Sequence, residues 1–406
     1  MATADNPAER TGQSVLQALP ASVNLVIVGG GVMGLWAAVK ADRIGIRTLL
    51  VDAGRIGSGA SGGLLGALMP HTPDRWTDKK QFQFDALVSL EAEIAGIEAA
   101  TGLSTGYRRS GRLIPLPKPH LREIALRHAA DAGDHWQADG RDFEWSVVDN
   151  ASDACGLDPE FTAGGLIHET LSGRVSPRLL TAALARCLSL SRHVRVIEEM
   201  GVAEIDPSRG RIRFVNDEST SFGHCIASAG HQSFPLLQRF APGTGVALGR
   251  PVKGQAALLD APGVDPAQPV LFLNGLYVVP HDDGRVAVGS TSEEEFDDPR
   301  ATDGKLDDVL MRARALVPAL RDAAVVERWA GLRPKAVGRE PMVGPHPDHS
   351  RLVALTGGFK VSFGLAHKLA DAALAAVEGR EASVPPSFTF TSHLEVAATK
   401  RAVAED

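Results

Sequence analysis

Three scarcities in this sequence narrow what it can be: few cysteines, no apolar run long enough to span a bilayer, and no excess of basic residues. The cysteines are Cys155, Cys187 and Cys225, an odd number without C-x-x-C spacing. That pattern offers no disulfide framework or zinc site and fits a reducing, cytoplasmic compartment. Residues 11 to 39 carry no formal charge, yet Gln13, Gln17, Pro20, Ser22 and Asn24 break the stretch. Its apolar part starts only at Leu25, contains a glycine cluster and ends at Lys40, short of the roughly 18 residues a membrane helix needs. Acidic residues outnumber basic ones, 49 to 42, for a net charge of −7. Such a balance gives no general attraction to phosphate backbones, so a nucleic-acid partner is not expected.

What remains is the composition of a packed globular protein, 44% apolar and 22% charged over 406 residues. That length predicts two domains. Leu25-Val26-Ile27-Val28 reads as a buried parallel strand, Val32 to about Ile44 as a helix, and Thr48-Leu49-Leu50-Val51 as a second buried strand. Together they make a βαβ unit. Ser176-Pro177 predicts a helix start, followed by a stripe of Leu180, Leu184 and Leu188. Strands are expected at Val194–Val196, Ile212–Val215 and His224–Ala227. From 250 to 295, short strands alternate with Asn274-Gly275 and Asp283-Gly284, the pattern of an antiparallel meander. A helix from Lys305 to about Val317, a strand at Leu352–Leu355 and a helix to about Val377 close the pattern.

The fold class predicted is α/β (α+β): a discontinuous Rossmann-type domain carrying an inserted antiparallel-sheet domain. We expect a flexible leader over 1–21 and a nucleotide-binding domain from 22–87, 160–243 and 329–385. The substrate domain is expected over 88–159 and 244–328, and an outlying tail over 386–406.

Between the first strand and helix lies Gly29-Gly30-Gly31-Val32-Met33-Gly34, a G-x-G-x-x-G. Gly29 permits the tight turn, Gly31 lets backbone approach a pyrophosphate, and Gly34 lets helix meet strand. The helix N-terminus then faces the anion with free N–H groups. Asp52 ends the second strand, 21 residues after Gly31, where an acid can take ribose hydroxyls. FAD and NAD share this fingerprint. Gly57-Ser58-Gly59-Ala60-Ser61-Gly62-Gly63 follows at once and leaves room for a longer ligand chain, which favours FAD, although a flexible surface loop would look the same.

Several further segments carry a resemblance: Ala60 to Ala67, Gly173-Arg174-Val175-Ser176-Pro177, Ser228-Ala229-Gly230 and Pro251-Val252-Lys253-Gly254-Gln255. Tyr277 to Pro280, Gly289-Ser290-Thr291, Trp329 to Pro334 and Thr356 to Lys360 extend it. In order and spacing, over about residues 25 to 380, the chain resembles the D-amino-acid oxidase superfamily of flavoproteins. It looks closest to the glycine oxidase and sarcosine oxidase-like branch.

The resemblance implies an FAD-dependent oxidase or dehydrogenase acting on the CH–NH of a small amino acid, by hydride transfer from Cα to flavin N5 and hydrolysis of the imine. It implies Arg333 as the clamp on the substrate carboxylate, Tyr277 as a hydroxyl over the flavin, and Lys360 beside substrate or flavin. The chemistry of a planar guanidinium fork agrees for Arg333. Cofactor contacts implied are Gly29, Gly31, Val32, Met33, Gly34, Asp52, Ala53, Ser58, Ser61, Gly62, Gly63 and Leu64. Val202, Gly230, Gly358, Phe359, Lys360, Val361, Ser362 and Gly364 complete the set.

Three departures stand out. Lys360 replaces an arginine of glycine oxidases, and Ser362 and His367 stand where the family usually has glycine and proline. No cysteine follows Cys225, so FAD is expected to bind non-covalently. The partners expected are a small amine or amino acid, oxygen or another electron acceptor, and a possible second copy of the chain. Other readings are a carboxymethyl-type amine on a larger molecule and an FAD-carrying electron-transfer subunit.

Overall fold

The computed structural model describes residues 19–138, 140–149 and 156–405. Most of the expected leader, and Cys155, lie outside the described residues.

The βαβ unit forms as β1 (Ser22–Val28), α1 (Val32–Arg43) and β2 (Thr48–Val51). The strands pair in parallel, with Leu25 opposite Thr48 and Val28 opposite Val51. The unbroken apolar run of β1 has a simple cause. Leu25 and Ile27 enter one core cluster, Val26 and Val28 another, so both faces of the strand are covered. Val194–Ile197 extends the sheet beyond β2, while Ser219–Ala227 pairs with β1 and then with His349–Thr356, all in parallel. Val202–Asp206, Arg211–Phe214 and Met342–His346 add antiparallel edges.

A second eight-stranded sheet runs in the order Ala324–Ala336, Gly249–Asp260, Arg285–Gly289, Leu276–Pro280, Val270–Leu273, Arg112–Pro115, Leu166–Glu169 and Trp145–Val148. The expected meander is its centre. Asn274 and Gly275 have φ of 48° and 80°, the doubly positive turn that a twisted two-residue hairpin requires. One junction is parallel, Val270 beside Arg112, and it ties the meander to the earlier part of the chain. The outer face of this sheet packs Leu113, Leu271, Val278 and Val288 against Leu306, Val309, Leu310 and Ala313 of the helix Gly304–Leu316. The inner face carries Ala256, Val270, Val279 and Ala287, with Tyr277 and Trp329, and meets Leu64 and Leu65 from the loop after β2. The loop after β2 therefore meets the second sheet on this inner face.

Two expectations of domain assignment differ from the observed pairing. Leu166–Glu169 belongs to the second sheet, although 160–243 was expected in the nucleotide-binding part. The segment expected as an outlying tail is packed: Phe390–Glu405 is a helix, and Phe388, Phe390 and Ala397 are buried. Phe388 meets Phe82 edge-on and Phe390 meets His346 likewise. The mixed charge of the segment masks these few apolar anchors. Among the described residues, no helix is long and apolar enough to cross a membrane.

Candidate active site

The first motif builds an anion cradle. A Cβ on Gly29 would lie 2.3 Å from the Ser228 carbonyl oxygen, and one on Gly34 would lie 1.9 Å from the Gly29 carbonyl oxygen. Only glycine fits either position. α1 starts without a capping side chain from Gly31 and without an acid in its first turn. Ser61 Oγ accepts from Val32 N at 2.9 Å, drawing the small-residue loop against the helix end. Asp52 is fixed by both oxygens, accepting from Gly30 N at 2.6 Å and Gly54 N at 2.8 Å. A carboxylate held so leaves lone pairs for ligand hydroxyls.

The other expected cofactor residues gather around this cradle. Ala53 follows Asp52, and a Cβ on Gly54 would sit 3.3 Å from Ser58 Oγ. Gly62 and Gly63 turn tightly after Ser61, with Gly63 facing Trp329. The Leu64 carbonyl accepts from His281 Nε2 at 3.0 Å. Met200 N donates to the Asp52 carbonyl at 2.8 Å, which sets Val202 beside the end of β2. Gly230 has φ of 56°, and its carbonyl accepts from Thr356 Oγ1. A Cβ on Gly358 would come within 2.3 Å of Met33 Cε, so the C-terminal motif closes on the first. Phe359, Lys360 and Val361 lead from it into the helix Ser362–Val377. Gly364 faces Leu87, a helix contact. His367 is interior to that packing, 2.9 Å from Ser89 Oγ and beside Trp36. Among the described residues, the buried Ser228 Oγ has no hydrogen-bond partner. An uncapped helix end, glycines without room for a Cβ, an anchored acid and an orphaned hydroxyl together suit FAD.

Arg333 projects from the strand Ala324–Ala336, opposite Val252. Its guanidinium lies over Gly254, where a Cβ would stand 2.1 Å from Nη2. Nη1 donates to Ser290 Oγ at 3.2 Å, and Nη2 donates to the carbonyls of Thr291 and Lys253. All these acceptors are neutral, and among the described residues no carboxylate pairs with it. Burial lowers its pKa, partly offset by Tyr277 and Glu293. A desolvated cation without a counter-charge costs several kcal/mol, so this arrangement calls for an anion from outside the chain.

Lys360 shares a support with Arg333. Arg333 Cζ lies 5.4 Å and Lys360 Nζ 5.6 Å from the centre of the Phe359 ring. Burial lowers the Lys360 pKa, with Arg333 and Lys335 adding to the effect. Lys335 is committed to Glu294 at 2.6 Å. Tyr277 stands on the inner face, its ring 5.0 Å from Phe272. Burial raises its phenol pKa, while Arg333 and Arg112 oppose the rise. The structure thus brings Tyr277, Arg333 and Lys360 to one side of the cradle.

Sequence reasoning assigned no role to Gly254, Ser290 or Thr291, which seat Arg333, nor to His281, Trp329 or Arg112. Gly254, Ser290, Thr291 and Trp329 lie within the segments that carry the family resemblance. Arg112 and His281 carry no comparable signal, because only the sheet register brings them to the inner face.

Comparison with known proteins agrees with this geometry. Residues 24–372 match the model of the DAO family, FAD dependent oxidoreductase. The chain belongs to that family. It is 29% identical to a glycine oxidase of Pseudomonas putida over 348 residues, 84% of this chain and 90% of the relative. It is 27% identical to a glycine oxidase of Geobacillus kaustophilus over 345 residues, 83% of this chain and 88% of the relative. The crystal structure of glycine oxidase from Geobacillus kaustophilus superimposes with a TM-score of 0.79 at 22% identity, covering 91% of this chain and 99% of that one. The protein is therefore an FAD-dependent oxidoreductase with the Rossmann-type domain and inserted sheet of its family.

Proposed function

We propose that this enzyme oxidises the CH–NH or CH–NH2 of an amine bearing a carboxylate, of the glycine, sarcosine or small D-amino-acid type. The observation that carries the reading is Arg333: buried, held by neutral acceptors only, and on the sheet face that meets the cofactor loop. Its relatives named glycine oxidase support the same substrate type.

Ser290 Oγ and the Lys253 and Thr291 carbonyls hold the guanidinium in place, and its remaining donors, on Nη1 and Nε, can take a carboxylate and so fix the position of Cα. Tyr277 stays protonated at neutral pH, since burial raises its pKa, and its hydroxyl can donate to the same carboxylate. Arg333 and Lys360 also disfavour a positive ammonium between them, which favours the neutral amine required for oxidation. No side-chain base is assigned. Bound FAD, held without a covalent bond to cysteine, supplies the two-electron acceptor for the hydride at Cα. The imine product then takes up water to give a carbonyl compound and an amine, and oxygen or another acceptor completes turnover.

Arg333→Ala tests the clamp. We expect kcat/KM for carboxylate-bearing amines to fall on the order of 10²- to 10³-fold, mostly through KM, with FAD content unchanged. Unchanged kinetics would remove the assignment.

A further inference from the structure

Behind the Arg333 clamp lies a carboxylate that makes no hydrogen bond to it. Glu293 is 7% exposed, and both of its oxygens are held. Oε1 accepts from Thr291 Oγ1 and, at 2.9 Å, from Gln255 Nε2; Oε2 accepts from Lys305 Nζ at 2.9 Å. Burial alone would raise its pKa, but hydrogen bonds from Thr291, Lys305 and Gln255 outweigh that effect and keep it charged at neutral pH.

A short path joins this carboxylate to the guanidinium. Arg333 Nη2 donates to the carbonyls of Thr291 and Lys253, and Glu293 anchors both residues. The Thr291 hydroxyl accepts from Gln255 N at 2.9 Å, so its one proton serves Glu293, which as a carboxylate can only accept. Glu293 N donates to the Lys253 carbonyl at 2.9 Å, the same oxygen that Arg333 reaches, and the Glu293 carbonyl takes Lys253 N at 2.9 Å. Gln255, fully buried, uses its other N–H on Asp303 Oδ1 and accepts from Asp303 N, which ties this network to the N-cap of the helix Gly304–Leu316. Thr291 itself lies beyond the end of the strand Arg285–Gly289. Its carbonyl is therefore not set by a regular ladder, and the bonds of its side chain to Gln255 and Glu293 take over that task.

We propose that Glu293 is a positioning residue for the substrate clamp. Through the Thr291 hydroxyl and the Lys253 carbonyl it sets the place of the Arg333 guanidinium, and so the point at which a substrate carboxylate docks. This rests on the amine-oxidation reading and adds to it a residue that acts through Arg333.

The test is a double-mutant cycle in the FAD-loaded full chain. Glu293→Gln keeps the size of the side chain but turns one acceptor into a donor, and Thr291→Val removes the hydroxyl while keeping the carbonyl. One readout is kcat/KM for the carboxylate-bearing amine that bleaches the flavin best. The other is Kd for acetate, which cannot be oxidised, from the visible flavin band. Either variant should lower kcat/KM about tenfold, mainly through KM, and weaken acetate by a similar factor, with FAD content unchanged. Thr291→Ser keeps the hydroxyl and should stay close to the unaltered enzyme in both values. In an Arg333→Ala background, Glu293→Gln and Thr291→Val should shift kcat/KM less than about twofold, because the clamp they position is gone. An equal loss in both backgrounds is what a merely structural role gives, and it would overturn the proposal. So would tighter acetate binding in Glu293→Gln, the sign expected if Glu293 acted on Arg333 only as a charge through space. Acetate that leaves the flavin band of the unaltered enzyme unmoved would remove the clamp and the proposal with it. If acetate binds but no amine bleaches the flavin, the amine-oxidation reading fails, and the acetate series still judges Glu293.

Discussion

Gly254 shows how narrowly the substrate side is fitted. The residue has no side chain because the Arg333 guanidinium occupies that space, and an added Cβ would stand 2.1 Å from Nη2. Gly254→Ala should therefore displace the clamp while leaving its charge in place. We expect KM for a carboxylate amine to rise about tenfold or more, with FAD retained. An unchanged KM would show that the guanidinium position does not matter. Asp52 offers the matching test on the cofactor side. Asp52→Ala frees the N–H groups of Gly30 and Gly54 and removes the acid from the ribose position, so FAD absorbance after gel filtration should fall sharply. Full retention of the colour would contradict that role. The sequence made Asp52 and Arg333 legible because a motif or a family segment frames each. Arg112 was not legible: its partner Glu169 is 57 positions away, and only the register of the second sheet joins them.

At the scale of elements, β1, α1 and β2 were readable to within three residues at their ends, since unbroken apolar strands and a glycine turn leave few alternatives. The helix Asp78–Thr101 and the final helix Phe390–Glu405 were not anticipated. In the latter, two aromatic anchors at its start carry the packing while charges dominate the rest. Deleting residues 386–406 should remove the buried Phe388 and Phe390 and uncover Phe82 and His346 against which they pack, at about 1.5–3 kcal/mol of burial for each phenylalanine. A clear drop in Tm is expected; an unaltered Tm would mean the helix adds nothing. His367, in the helix Ser362–Val377, gives a pH signature. Burial pushes its pKa down to about 3, with Lys40 adding to the effect. Below pH 6.5 the unfolded chain takes up a proton that the folded chain refuses until about 3. The stabilising effect of the neutral imidazole is thus complete above pH 6.5 and is lost as pH falls toward 3, by about 2 kcal/mol at pH 5. Urea unfolding from pH 7 to 5 should show a shallower loss for His367→Gln than for the unaltered chain. Parallel slopes would assign the acid sensitivity to other groups.

Over the whole molecule, the division of labour follows from the two sheets. The parallel sheet ends in glycine turns and an anchored acid, which suit a dinucleotide. The second sheet presents a buried, unbalanced arginine toward it. The presence of both parts was legible from composition change near residue 250, but their exact limits were not. Leu166–Glu169 and the second half of the long strand Ala324–Ala336 cross the expected boundaries, because strands from distant segments complete one sheet. The central claim is that the two sheets together hold a flavin that a carboxylate-bearing amine reduces. The most direct test is the visible spectrum of the purified protein, followed anaerobically as small amino acids, N-methyl amines and N-carboxyalkyl amines are added. The account predicts a yellow protein whose flavin band bleaches with amines that carry a carboxylate and persists with matched amines that lack one. Bleaching that ignores the carboxylate, or no bleaching by any amine, would contradict it.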